Sequence, residues 1–274
     1  MTVDEAYRKW QNEYWFDSRN ILEKTINGYI SMFDRHIIPI IGKEDISSID
    51  CTKIQKHYDE LSENGYSAKT IRNIHQALSS LLSWCFKKGF LEFPIHLNQL
   101  VTYPKPAKKL CIQNVPTISE YTKLVGVLSG HYRYAIQFMA HTGIRFSELS
   151  ILKENIDFEH GFVRISSYVQ RIYTDYKAKT TQLTVQDYPK TSSAHRVIRI
   201  TPNIEKILLA QLSMLDEMQI KSEYIFCNRH GGVIEERNII RYYKSALEKA
   251  GLNRKGIYSL RKLYIYTGGN LNVT

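Results

Sequence analysis

Apolar residues recur at helical spacing along most of this chain. Val3, Ala6, Tyr7 and Trp10 follow Thr2 and Glu5, which stand three apart as in a capping box, and predict a first helix. Leu22, Ile26, Tyr29, Ile30 and Phe33 share one face of a second, running through NILEKTINGYISMFDRHIIPIIG and stopped by Pro39 and Gly42. Asp50 can cap CTKIQKHYDELSENG, which ends at Gly65, and Ser67 can cap SAKTIRNIHQALSSLLSWCFKKG, which ends at Gly89. Four helices joined by short loops predict a helical bundle over residues 1–100.

The periodicity lapses over 101–116, VTYPKPAKKLCIQNVP, where three prolines and three lysines predict a linker. Thr117 and Glu120 then offer a second capping box, HYRYAIQFMAHTG supplies a helix ending at Gly143, and another helix starts near Ser147. The period next falls to two. FVRIS, SYVQRIYT and, after a polar stretch, HRVIRIT predict the strands of a small antiparallel sheet, the last closed by Pro202. NIEKILLAQLSML and ERNIIRYYKSALEKAG return to helix before a glycine-rich end. The fold class expected is mainly α with a small antiparallel β-sheet, a helical domain over 1–100 and an α+β domain over 117–274.

Composition narrows the partners. The 274 residues are 43% hydrophobic, enough for packed cores, and 37 Lys and Arg against 27 Asp and Glu give a net charge of +10. That balance favours a polyanion, with nucleic acid as the leading class. The opening MTVDEAYRKW mixes charges of both signs, and the aliphatic cluster Ile37 to Ile41 is far too short to cross a bilayer, so nothing argues for export or a membrane. Cys51, Cys85, Cys111 and Cys227 lie far apart with no Cys-x-x-Cys pair, which suggests neither zinc nor a disulfide framework but reduced, buried, cytosolic thiols.

Three separated basic residues carry the candidate chemistry. In HTGIRFSELSIL, Arg145 projects from a tight corner between helices, a position from which an arginine caps carbonyls or pairs with an acid such as Glu148. Lys190, in YPKTSSAHRVIRI, sits at the mouth of a strand, and on chemistry alone Lys177 or Lys179 would serve equally. Arg261, in YSLRK, lies on the first turn of a helix after Gly256.

Taken in order, these segments resemble the tyrosine recombinases, the phage-integrase family of site-specific DNA strand-exchange enzymes, and the resemblance covers nearly the whole chain. HTGIRFSEL is similar to the family's first arginine box, which implies Arg145 as the first catalytic arginine and Glu148 as its supporting acid. PKTSSAHRVIRI is similar to the family's hairpin, implying Lys190 as the catalytic lysine and Arg196 as the arginine that follows in the strand. YSLRK is similar to the second box, with Arg261 as the second catalytic arginine and Tyr258 where most members have histidine. GYSAKTIRNIHQALSSLLSWCFKKGFLEF is similar to the core-binding domain. The resemblance implies cleavage by a tyrosine hydroxyl through a 3′-phosphotyrosine, with no metal and no cofactor. It also implies duplex recombination sites as partner, self-association on DNA up to a tetramer, accessory DNA-bending or directionality proteins, a phage or other mobile element as source, and a bacterial cytoplasmic setting at the nucleoid.

The chemistry agrees with those assignments. Charge builds on the non-bridging oxygens of a phosphodiester under attack, and a planar guanidinium donates to two oxygens at once. Arg145 and Arg261 are expected to form that clamp on one concave surface, while Lys190 donates a proton to the departing 5′ oxygen. The family's nucleophile lies on a later element, whereas this chain stops 13 residues after Arg261, so no nucleophile is expected within it and a truncated product or fragment is the simplest account. Tyr264 and Tyr266, three and five residues after Arg261, are expected to be core aromatics. Lys69, Thr70, Arg72 and Asn73 form a polar helix face suited to a major groove, and Lys105, Lys108 and Lys109 are placed to track phosphates. The rival reading is a non-catalytic DNA-binding regulator or inhibitor derived from an integrase; a helical interaction module would give the three basic residues no purpose.

Overall fold

The chain begins with Val3, Ala6, Tyr7 and Trp10 buried on one side of α1 (Val3–Trp10), as the spacing predicts. Thr2 and Glu5 complete the capping box, with Thr2 Oγ1 accepting from the Glu5 N–H at 3.2 Å and Glu5 Oε2 from the Thr2 N–H at 2.9 Å. A computed structural model describes residues 1–15, 23–104, 115–175, 180–188 and 195–271. Its chain divides into two compact units, Met1–Lys108 with Asp175–Lys179, and Lys109–Thr174 with Thr180–Thr274.

In the first unit, α2 (Glu23–Met32) runs into α3 (Ile38–Ile41) through a wider turn at Phe33–Ile37. Pro39 therefore lies inside the helix and does not end it, as the sequence predicts it should. The Ile38 N–H reaches back five residues to the Phe33 carbonyl, a local widening next to the residue that has no N–H to give. Asp50 caps α4 (Cys51–Glu63), Ser67 caps α5 (Ala68–Lys87), and a short α6 (Leu97–Leu100) closes the unit. The core gathers Phe33, stacked on Tyr7 at 4.2 Å between centroids, with Tyr58, Ile71, Ile74, Leu78 and Leu81. Cys85 is buried and Cys51 half-buried, both as free thiols, and Cys111 lies outside the described residues.

The second unit opens with α7 (Ile118–Val127), capped by the expected Thr117–Glu120 box, and α8 (Arg133–Thr142). Where a helix near Ser147 is predicted there is one turn of 3-10 helix, Phe146–Leu149, because the chain must regain an extended course within a few residues. A three-stranded antiparallel sheet has the order β1 (Ile156–Asp157), β2 (Phe162–Ile165), then the last strand of the unit, Arg196–Arg199. Between them β3 (Ser167–Asp175) and β4 (Thr180–Asp187) form a separate two-stranded ribbon, and Arg196–Arg199 is accordingly β5. β4, TTQLTVQD, is the polar stretch in which alternation gives no sign of a strand, since none of its residues is buried. Helices α9 (Pro202–Glu217), α10 (Glu236–Lys249) and α11 (Ser259–Tyr266) follow, Pro202 standing in the first turn of α9 behind its cap Thr201. Ile136, Phe138 and Ile144 meet Val163, Phe226, Tyr243 and Leu260 in the core.

Candidate functional site

α8 ends at Gly143, whose φ of +63° turns the chain out of the helix at no steric cost. Arg145 follows in extended conformation as the cap of the short 3-10 turn. The turn brings Glu148 back beneath Arg145, so that Glu148 Oε2 accepts from the Arg145 N–H at 2.7 Å and Oε1 from Arg145 Nη1 at 2.9 Å.

Glu148 has no exposed side-chain surface, yet it is a carboxylate. Burial by itself would push its carboxyl up. That effect is outweighed by Arg196, whose Nη1 and Nη2 donate to the two carboxylate oxygens at 2.9 and 2.6 Å, and by Arg145, which together hold the group down at about 2. The Tyr188 hydroxyl adds a donor to Oε1 at 3.1 Å. Tyr188 is pushed up to about 12, by burial first and then by the neighbouring Glu148 charge.

α11 supplies the second arginine. Arg261 Nη1 donates to the carbonyl of Gly143, and the ring of Tyr264, one turn further on, lies so close to Gly143 that a Cβ there would stand 2.4 Å from its Cδ1. Tyr264 also meets Gly269, where a Cβ would stand 3.1 Å from Cε2. Arg196, Arg199 and Arg261 line a cleft of about 470 Å³ together with His141, Gly143, and Asn270. Arg145 is not in that lining. It projects 47% exposed from the corner, joined to the cleft wall through Glu148 and Arg196.

Among the described residues, Arg145 and Arg261 each spend one guanidinium nitrogen on the protein and keep Nε and Nη2 unengaged. Arg196 spends both Nη groups on Glu148, which leaves it a fastening more than a clamp. Tyr258 is 52% exposed at the head of α11. Tyr266 is 72% exposed and so is no core aromatic: the helix turns it outward while Leu263 and Leu260 take the buried side. Tyr264 is half-buried, as its wedge against Gly143 requires. The sequence reading missed Tyr188, His195 and Arg199; Tyr188 stands two places before Lys190, and no periodicity or motif marks it.

Lys190 lies outside the described residues, as do Lys177, Lys179, Lys105, Lys108 and Lys109. On α5, Lys69, Arg72 and Asn73 are exposed while Ile71, Ile74 and Leu78 are buried, and Thr70 is engaged with the cap through its hydroxyl, 2.8 Å from Ser67 Oγ. No group of three His, Cys, Asp or Glu is set to hold a metal, and no helix is long and apolar enough to cross a membrane, among the described residues.

Residues 110–264 match the phage integrase family, and residues 4–62 match the N-terminal SAM-like domain of phage integrases. The chain is 26% identical over 234 residues to a XerC-like tyrosine recombinase of Caldanaerobacter subterraneus subsp. tengcongensis, covering 80% of this chain and 60% of the relative. It is 20% identical over 266 residues to the integrase of Mycobacterium phage L5, covering 95% of this chain and 66% of that protein. The chain thus spans less than two thirds of the length of these relatives. Its fold is similar to that of the Tn1549 transposon integrase in complex with transposon right end DNA, with a TM-score of 0.78, 16% identity, and 100% and 88% of the two chains covered. It is also similar to a lambda integrase dimer bound to a COC′ core site, with a TM-score of 0.70, 18% identity, and 97% and 88% covered.

Proposed function

The chain belongs to the phage integrase family, the tyrosine recombinases, and from that premise we propose that it engages duplex recombination sites of a phage or other mobile element and holds the phosphate at which strands are cut and rejoined. The observation that carries this reading is the convergence on one corner: Arg145 projects from it, Arg261 is tied to it at Gly143, and both keep guanidinium donors unengaged. Those donors suit the two non-bridging oxygens that gain charge as the phosphorus is attacked. Lys190 serves as the acid that protonates the departing 5′ oxygen, and Tyr258 takes the place of a histidine near the same phosphate.

A tyrosine hydroxyl attacks in line, forming a 3′-phosphotyrosine and releasing the 5′ oxygen; the reverse step joins the new strand and frees the tyrosine. That tyrosine comes from outside the described site. Tyr264 is wedged against Gly143, Tyr188 is committed to Glu148, and Tyr266 faces away from the core on α11. The exposed face of α5 with Lys69, Arg72 and Asn73 supplies DNA contacts in the first unit, and Lys105, Lys108 and Lys109 add phosphate contacts. Copies of the chain assemble on DNA in the cytoplasm, where accessory DNA-bending or directionality proteins share the site. Duplex binding followed against ionic strength tests the reading. Affinity should fall about 10³-fold or more between about 50 and 200 mM salt, whereas salt-independent binding, or none at low salt, removes it.

A further inference from the structure

Tyr188, the residue just after β4, and Arg196, the first residue of β5, are fastened to the same carboxylate. Tyr188 reaches Glu148 Oε1 at 3.1 Å, and Arg196 takes both Glu148 oxygens. Oε1 thereby accepts from three elements, since Arg145 Nη1 donates to it at 2.9 Å from the corner after α8.

Tyr188 is itself held on every side. Its N–H donates to the Ser166 carbonyl at 2.8 Å, its own carbonyl accepts from His195 Nε2 at 2.9 Å, and its ring stacks on Tyr168 with centroids 4.8 Å apart. A hydroxyl anchored in this way approaches Glu148 from a fixed direction. It is also neutral. Glu148 already accepts two bonds from each of two arginines, and a third cation would leave the buried group over-charged, whereas a phenol adds a further donor without adding charge.

We propose that Tyr188 is a positioning residue of the phosphate site: its hydroxyl holds the Glu148 carboxylate in the orientation that aims the Arg145 guanidinium. Without it, the carboxylate is held by arginine donors alone, and the bidentate pull of Arg196 is no longer balanced on Oε1, which shifts the acceptor that aims Arg145 Nη1. Tyr188 touches no reacting atom, and its effect passes through Glu148. This inference rests on the reading of Arg145 as a phosphate ligand, and the experiment separates the two.

The probe is orthovanadate, a phosphate-like anion, titrated into the full chain and followed by ⁵¹V NMR, with Tyr188→Phe made alone and in an Arg145→Gln background. Tyr188→Phe should weaken vanadate binding roughly five- to tenfold, as expected for one hydrogen bond to a charged group acting at one remove. In the Arg145→Gln background the same change should cost less than about twofold, because the residue it aims is gone. Equal losses in both backgrounds would show a merely structural role, and no loss in either would overturn the assignment outright. If Arg145→Gln itself leaves vanadate binding unchanged, the phosphate reading fails, and the role of Tyr188 fails with it. Should the phenylalanine variant not melt cooperatively, Tyr168→Leu, which frees the ring and keeps the hydroxyl, carries the same cycle with the same two outcomes.

Discussion

Arg261 donates its guanidinium Nη1 to the carbonyl of Gly143, 118 residues earlier in the chain. That carbonyl belongs to the residue that ends α8, where backbone acceptors have no helical partner. One bond therefore satisfies the helix end and fixes α11 to the corner from which Arg145 projects. Tyr264 closes the other side of the same glycine.

Gly143→Ala should be costly for two separate reasons, a φ of +63° that alanine resists and a Cβ only 2.4 Å from the Tyr264 ring. The expected loss is about 2 to 4 kcal/mol in urea unfolding. Adding Tyr264→Leu should recover the steric part and leave the backbone part. A Gly143→Ala protein as stable as the parent would show that α11 does not pack on the corner as described.

Glu148 makes a pH prediction with a definite sign. Its carboxyl is held at about 2 in the folded chain, below its ordinary value of 4.5. The ion pairs therefore contribute fully above about pH 4.5, and that stability is lost as pH falls toward 2, amounting to about 3 kcal/mol across the window. Melting curves of the parent and Glu148→Gln should differ by a constant amount near neutrality and converge below pH 4. A gap that widens on acidification contradicts the assignment.

On α5, Arg72 is exposed beside Lys69 and Asn73. If it contacts a phosphate, Arg72→Ala should weaken duplex binding similarly on unrelated sequences and reduce the slope of log affinity against log salt by about 0.9. Loss confined to one sequence with an unchanged slope would mean that Arg72 reads a base.

Much of this was legible along the chain, and the exceptions have physical causes. Thr2–Glu5, Thr117–Glu120, Asp50 and Ser67 cap the helices they predict, because a cap is a local interaction written in adjacent residues. Pro39 misleads since a widened turn accommodates it, and β4 escapes notice because none of its residues is buried, so nothing imposes alternation on it. The pairing of Arg145 with Glu148 could be read from a spacing of three. The hold of Arg196 and Tyr188 on Glu148 could not, since those contacts span 48 and 40 residues and depend on how the strands return. Arg261 was found by its motif, but its bond to Gly143 is a property of packing alone.

Covalent capture decides whether Arg145 and Arg261 hold a phosphate for attack by a tyrosine from outside the described site. The substrate is a nicked duplex carrying the sequence recovered by selection from a random pool, so that the cleaved fragment diffuses away and cannot be rejoined. The chain fused after Thr274 to a carboxyl-terminal tyrosine-bearing segment should form a protein–DNA adduct that survives denaturing gels. Arg145→Gln or Arg261→Gln in that fusion should each reduce the adduct by about 10²-fold or more, as loss of one preorganised donor to a developing charge does. The chain ending at Thr274 should bind the same duplex and form no adduct. Tight binding by the fusion with no adduct, or an adduct formed by the chain alone and abolished by Tyr264→Phe or Tyr266→Phe, would contradict the account.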